Sequence, residues 1–81
     1  KTEDIEGIAG ITSNLGSILY ESKKYSESIT YFKKALKIRQ EIKNMEGVQE
    51  SYLTLSNSYR QLNDYKNAYD YLSKYHKLWD T

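Results

Sequence analysis

Residues 14–36 read NLGSILYESKKYSESITYFKKAL, and residues 54–76 read TLSNSYRQLNDYKNAYDYLSKYH. Laid over each other at an offset of 40 residues, they align Leu15 with Leu55, Tyr25 with Tyr65, Tyr31 with Tyr71 and Lys34 with Lys74. The register extends outward on both sides: Glu6-Gly7 falls on Glu46-Gly47, and Lys37 falls on Lys77. Other pairs keep their character, among them Ile8 with Val48, Leu19 with Tyr59, Ser28 with Ala68, Phe32 with Leu72 and Ile38 with Leu78. A repeat of this length predicts a stack of similar units, each burying its apolar face on its neighbour.

Within each copy the apolar residues recur at helical spacing. Ile8, Ile11, Leu15, Ile18 and Leu19 mark one face of a first helix over residues 8–19. Ser22-Lys23-Lys24 breaks the pattern as a turn. A second helix is expected from Ser26, as N-cap, to Lys43, with Ile29, Phe32, Leu36 and Ile42 inward and Ala35 and Ile38 alongside. Its other face carries Lys33, Lys34, Lys37, Arg39 and Lys43, expected to be solvated, with Lys37–Glu41 spaced as an i,i+4 pair. Asn44 is the next break. The third helix is expected from Met45 or Glu46 to Leu62, with Val48, Tyr52, Leu55, Tyr59 and Leu62 inward. Asn63-Asp64 is a turn. The fourth runs from Tyr65 or Lys66 to Trp79, with Ala68, Tyr69, Leu72, Tyr75 and Leu78 inward. Pro is absent and no segment alternates as a strand does. Turns this short make consecutive helices antiparallel neighbours.

The segment Asn14-Leu15-Gly16, followed by Tyr25, Ile29 through Phe32, and Ala35-Leu36, resembles the tetratricopeptide repeat. The family's Leu-Gly pair, its Tyr before the second helix, and the small, aromatic and Ala positions fall on Leu15-Gly16, Tyr25, Ser28, Phe32 and Ala35. In the second copy they fall on Leu55-Ser56, Tyr65, Ala68, Leu72 and Tyr75. The resemblance implies an all-α fold of two antiparallel helix–turn–helix hairpins, residues 1–43 and 44–81, stacked as part of a right-handed superhelical array. Small residues at Gly16, Ser28, Ser56 and Ala68 let paired helices approach closely. The offset of 40 exceeds the family's usual ~34 and is similar to the longer repeats of kinesin light chains and bacterial sensory arrays. Thr12 and Tyr52 stand where the family carries a bulky aromatic. Tyr75 replaces a small Ala, as suits a terminal repeat. The chain starts at Lys1 without Met and stops at Thr81 in mid-pattern, so it reads as part of a longer array.

Composition narrows the function classes. At 81 residues the chain is one small domain or a part of one, with a thin core. The hydrophobic fraction of 38% and charged fraction of 28% suit a folded chain rather than a disordered one. A net charge of +1 argues against a strongly basic nucleic-acid binder. There is no Cys, hence no disulfide and no thiolate metal site. The longest apolar run, Ile18-Leu19-Tyr20, is far short of a membrane span, and no leader peptide is visible.

No catalytic constellation stands out. His76 is the only His and has no Ser, Cys or carboxylate spaced to work with it, so it reads as a surface residue. Gly7-Ile8-Ala9-Gly10 lacks the strand and the Lys-Ser/Thr of a phosphate loop. No metal or cofactor is expected. The nine Tyr fall mostly at helical or repeat-equivalent positions, which reads as packing; stacked bases are the weaker alternative.

In arrays of this family the first helix of each pair lines the concave surface. Carried over by motif, the groove-facing residues are Gly10, Ser13, Ser17, Tyr20 and Glu21, then Glu50, Leu53, Asn57, Arg60 and Gln61. Asn57 has both amide functions to offer a peptide backbone, and Arg60 a guanidinium for a carboxylate. Ser13 and Ser17 stand where the family's carboxylate clamp carries Lys and Asn, which argues against capture of a C-terminal carboxylate. The resemblance therefore implies a non-catalytic module binding a protein or peptide. The alternative is a structural spacer whose uncovered end faces form a homo-oligomer. No nucleic acid and no membrane insertion are expected of this segment.

Overall fold

The computed structural model describes residues 4–80, with side chains as far as residue 78. Four helices follow one another: α1 (Ile5–Glu21), α2 (Tyr25–Glu41), α3 (Met45–Gln61) and α4 (Tyr65–Asp80). Each packs against the next, and no strand occurs among the described residues. The molecule is a slab of 39 × 33 × 13 Å, so its helices lie in a shallow layer instead of surrounding a central core.

Each turn has the same construction. Lys23, Lys43 and Asn63 adopt left-handed backbone angles, with φ of 64°, 59° and 62°. The next residue's N–H then reaches back to close the preceding helix: Lys24 to the Leu19 carbonyl at 2.8 Å, Asn44 to Arg39 and Asp64 to Tyr59, both at 2.9 Å. This is the Schellman pattern, which satisfies carbonyls left over at a helix C-terminus. Glycine is usual at the left-handed position, and a lysine there costs about 1–2 kcal/mol of local strain.

The helix starts differ from one another. Asn44 caps α3, its Oδ1 accepting from the Gly47 N–H at 3.1 Å, and Asp64 accepts from the Asn67 N–H at the start of α4 at 3.3 Å. For α2 the sequence points to Ser26 as the cap, but the helix begins at Tyr25 and Lys24 takes the cap position without a side-chain bond. The compact Schellman turn leaves no residue to spare, so the helix starts one residue earlier.

The core is a cluster of Ile29, Phe32 and Leu36 from α2 with Val48 and Leu55 from α3. Tyr52, Tyr59, Tyr71 and Leu78 pack against it, half-buried. Tyr59 and Tyr71 stack with centroids 5.8 Å apart, and Lys33 Nζ lies 5.7 Å from the Tyr59 ring centre. These tyrosines therefore pack, as their spacing predicts. Gly16 explains the Leu-Gly pair: a Cβ there would lie 2.7 Å from Phe32 Cε1, so the ring rests on the backbone of α1. Ser28 and Ala68 are buried at the matching positions of α2 and α4, and buried Ser56 donates to the Ala68 carbonyl at 2.8 Å.

Three expectations about burial are overturned. The α1 face of Ile8, Ile11, Leu15 and Ile18 is exposed, at 45–64%, because α1 packs on α2 through Ala9, Ser13 and Gly16 instead. Tyr69, Leu62 and Ile42, also expected inward, are exposed: the latter two sit in the turns, and none of the described helices packs over Tyr69. Arg39, expected among the solvated cations, is only 5% exposed. Its Nη1 donates to Ser51 Oγ at 3.2 Å and to the Gly47 carbonyl at 3.5 Å, and its Nε lies 3.6 Å from Glu6 Oε2. Asn44 Nδ2 donates to the other Glu6 oxygen at 2.9 Å. A buried guanidinium needs this many partners to offset its desolvation. Gly47 makes the room: a Cβ there would lie 2.6 Å from Arg39 Cδ.

Candidate functional site

A depression lies between α1 and α3, with Phe32 of α2 as its floor. There Ser17, Tyr20 and Glu21 of α1 face Thr54 and Asn57 of α3 across the ring of Phe32, enclosing a cavity of about 170 Å³. Helical spacing accounts for the grouping. Tyr20 and Glu21 lie three and four residues after Ser17 in the last turns of α1, and Asn57 lies three after Thr54 on α3, so each set shares a face. Gly16, with no side chain, lets the Phe32 ring lie against the α1 backbone at the base of the cavity.

The walls are polar and the floor is aromatic. Tyr20 is held edge-on against Tyr25 at 5.1 Å and 72°, which fixes its ring as one wall. Asn57 is not free to use both amide functions: Arg60 Nη2 donates to its Oδ1 at 3.2 Å. Arg60 is exposed and is spent on this uncharged partner, so its charge stays available at the rim. Glu21, at the opposite wall, is also exposed. The volume falls below the ~300–1,000 Å³ usual for small-molecule sites and suits a single inserted side chain.

The other groove candidates lie elsewhere. Ser13 is 7% exposed in the α1–α2 contact, where a small residue lets the helices approach, so it faces no ligand. Glu50 is exposed near buried Arg39, with 4.0 Å between Oε1 and Nη1. Leu53 and Gln61 are exposed on α3 but do not line the cavity, and neither does Gly10. Phe32 and Thr54 complete the site without having been singled out from the sequence. Phe32 reads as pure core, and at 2% exposure it stays buried while its ring forms the base of the cavity.

His76 is exposed and lies edge-on to Tyr75 at 5.4 Å. Among the described residues no group of three or more His, Cys, Asp or Glu is placed to hold a metal ion, and no helix is long and apolar enough to cross a membrane.

No curated protein and no solved structure matches the chain. A family model does: the tetratricopeptide repeat model covers residues 7–80. Repeats of this family generally serve as non-catalytic scaffolds for protein partners. With paired helices of the expected kind beneath that match, the chain belongs to the tetratricopeptide repeat family.

Proposed function

We propose that this chain is a non-catalytic interaction module that takes a peptide or helix in the groove between α1 and α3. The observation that carries the reading is the cavity itself. Four residues picked by motif, Ser17, Tyr20, Glu21 and Asn57, line one depression with an aromatic floor. In this reading an apolar side chain of the partner enters over Phe32, Asn57 Nδ2 donates to the partner's backbone, and Arg60 holds an acidic group at the rim.

Peptides selected from a random display library on the 81-residue chain provide the test. Asn57→Ala with Arg60→Ala should weaken the selected peptides about tenfold to a hundredfold, since each 1.4 kcal/mol is a factor of ten. Thr54→Arg, which fills the cavity from a half-buried position, should abolish binding. Peptides that bind all variants equally well would remove the groove from consideration.

A second reading is self-association through the end faces. The exposed isoleucines of α1 favour it, because an apolar stripe of this kind marks an interaction surface more often than bare solvent contact.

A further inference from the structure

Two buried side-chain hydrogen-bond pairs cross the α2–α3 interface, and the repeat offset shows what stands in their place at the two ends of the molecule. Across α2–α3, Arg39 donates to Ser51 and Ser28 donates to Ser58, at 3.2 and 3.4 Å. Shifted by the repeat, the α2 members become Trp79 and Ala68 on α4. The α3 members become Ile11 and Ile18 on α1. Both polar pairs thus turn apolar on both sides at once. A polar residue on one end facing an apolar residue on the other would have left a buried hydroxyl or guanidinium without a partner; neither mismatch occurs.

The space follows the same logic. Gly47 lies beneath Arg39, and Glu50 is near its charge. Their counterparts on α1 are Gly7 and Gly10, and a Cβ at either meets nothing within 4 Å. Among the described residues the groove that Arg39 fills on α3 is empty on α1, and no carboxylate stands at the position of Glu50. The α1 surface is therefore shaped for a bulky uncharged residue where α3 is shaped for an arginine. The residue at Arg39's repeat position on α4 is the single Trp of the chain.

The apolar core extends in the same way at four of its five positions, His76 being the exception. Ile29, Phe32 and Leu36 meet Val48 and Leu55 inside the molecule. Their counterparts are Tyr69, Leu72 and His76 on α4, and Ile8 and Leu15 on α1. Of these, Ile8, Leu15 and Tyr69 are 53%, 45% and 69% exposed, whereas Val48, Leu55 and Ile29 are 2%, 0% and 7% exposed.

We propose that α1 is a docking face for α4 of a second copy of this chain, packed in the register that α2 holds on α3. The contact joins two different surfaces, so it does not close on itself, and copies add head to tail. The proposal gives the self-association reading a definite pair of surfaces and leaves the groove open; either can fail without the other.

Two variants, each blocked at one end, test it. Ile11→Glu with Ile18→Glu blocks α1, and Tyr69→Glu with His76→Glu blocks α4. All four residues are exposed, so the fold is retained, which far-UV circular dichroism checks. In sedimentation equilibrium the parent chain should grow in mean mass with concentration, without a plateau. Each variant alone should stay at the 9.5 kDa of the monomer. Mixed in equal amounts they should form a dimer and stop there, because one open α4 meets one open α1. A parent chain that stays monomeric to millimolar concentration overturns the proposal and leaves α1 to a different partner. An α4-blocked variant that dimerises alone also overturns it, because the pairing is then α1 on α1.

Discussion

Gly10 and Gly16 lie on one helix within two turns of each other, and alanine should move stability differently at the two. A Cβ at Gly10 meets nothing within 4 Å, so Gly10→Ala acts through backbone preference alone and should stabilise by about 1 kcal/mol. Gly16→Ala gains the same preference but places its methyl 2.7 Å from Phe32 Cε1 and 2.8 Å from Cδ1. Ordinary carbon contacts lie at about 3.5–4.0 Å, so the ring must retreat by roughly 1 Å. Phe32 is 2% exposed and packs in the core cluster with Ile29, Leu36, Val48 and Leu55, so its retreat disturbs that packing. Overpacking of that kind costs about 1–3 kcal/mol. Backbone preference cancels between the two variants, so their difference reads the clash alone. Gly16→Ala should be less stable than Gly10→Ala by about 1–3 kcal/mol. Urea denaturation at a concentration where the chain is monomeric measures it, and in thermal melts each 1 kcal/mol appears as about 4–8 °C. Adding Phe32→Leu to Gly16→Ala should bring the clash term down. If Gly16→Ala stabilises as much as Gly10→Ala, the ring does not rest on the α1 backbone, and the account of both the Leu-Gly pair and the groove floor is wrong.

The repeat itself supplies a second comparison, at Gly7 and Gly47. Alanine at Gly7 should be neutral to stabilising by up to ~1 kcal/mol, whereas at Gly47 it displaces Arg39 from Ser51 and crowds the Asn44 cap, and should destabilise by about 1–3 kcal/mol; equal effects in urea melts would show that Arg39 is not seated over Gly47. Alkaline pH should weaken the fold. Burial raises the Tyr71 hydroxyl above its ordinary 10.0, and a hydrogen bond to Tyr59 is the main cause that raises the Lys33 ammonium above 10.5. Both groups hold their protons more tightly folded than unfolded, so their contribution is complete below about pH 10 and is lost as the pH rises through the raised values. Tyr71→Phe should make that decline shallower in urea titrations between about pH 9 and 12, and an unchanged slope would show that Tyr71 is not coupled to folding.

The groove was half legible before any tertiary contact was known. Ser17, Tyr20, Glu21 and Asn57 follow from the family resemblance, whose motif assigns them to the lining face of the first helix of each pair. Ser13 comes from the same motif and fails. Its face meets a neighbouring helix, and whether a small polar residue is solvated or is a contact point depends on how closely that helix comes. Thr54 and Phe32 carry no sign of their own. They line the cavity because of where α2 and α3 come to lie against α1, Gly16 admitting the Phe32 ring at its base.

By itself, the chain's sequence determined its four helices, its three turns and the offset at which its halves correspond. These rest on local matters: hydrogen bonds between residues three to five apart, and apolar spacing along one strip of surface. Tertiary structure decided which strips are covered. Arg39 belongs by pattern to a cationic outer face, yet Gly47, Ser51 and Glu6 arrive from two other helices and enclose it. The isoleucines of α1 belong by pattern to a core, yet none of the described helices covers them. A helix's pattern states that a face should be buried; only the position of its neighbours states against what.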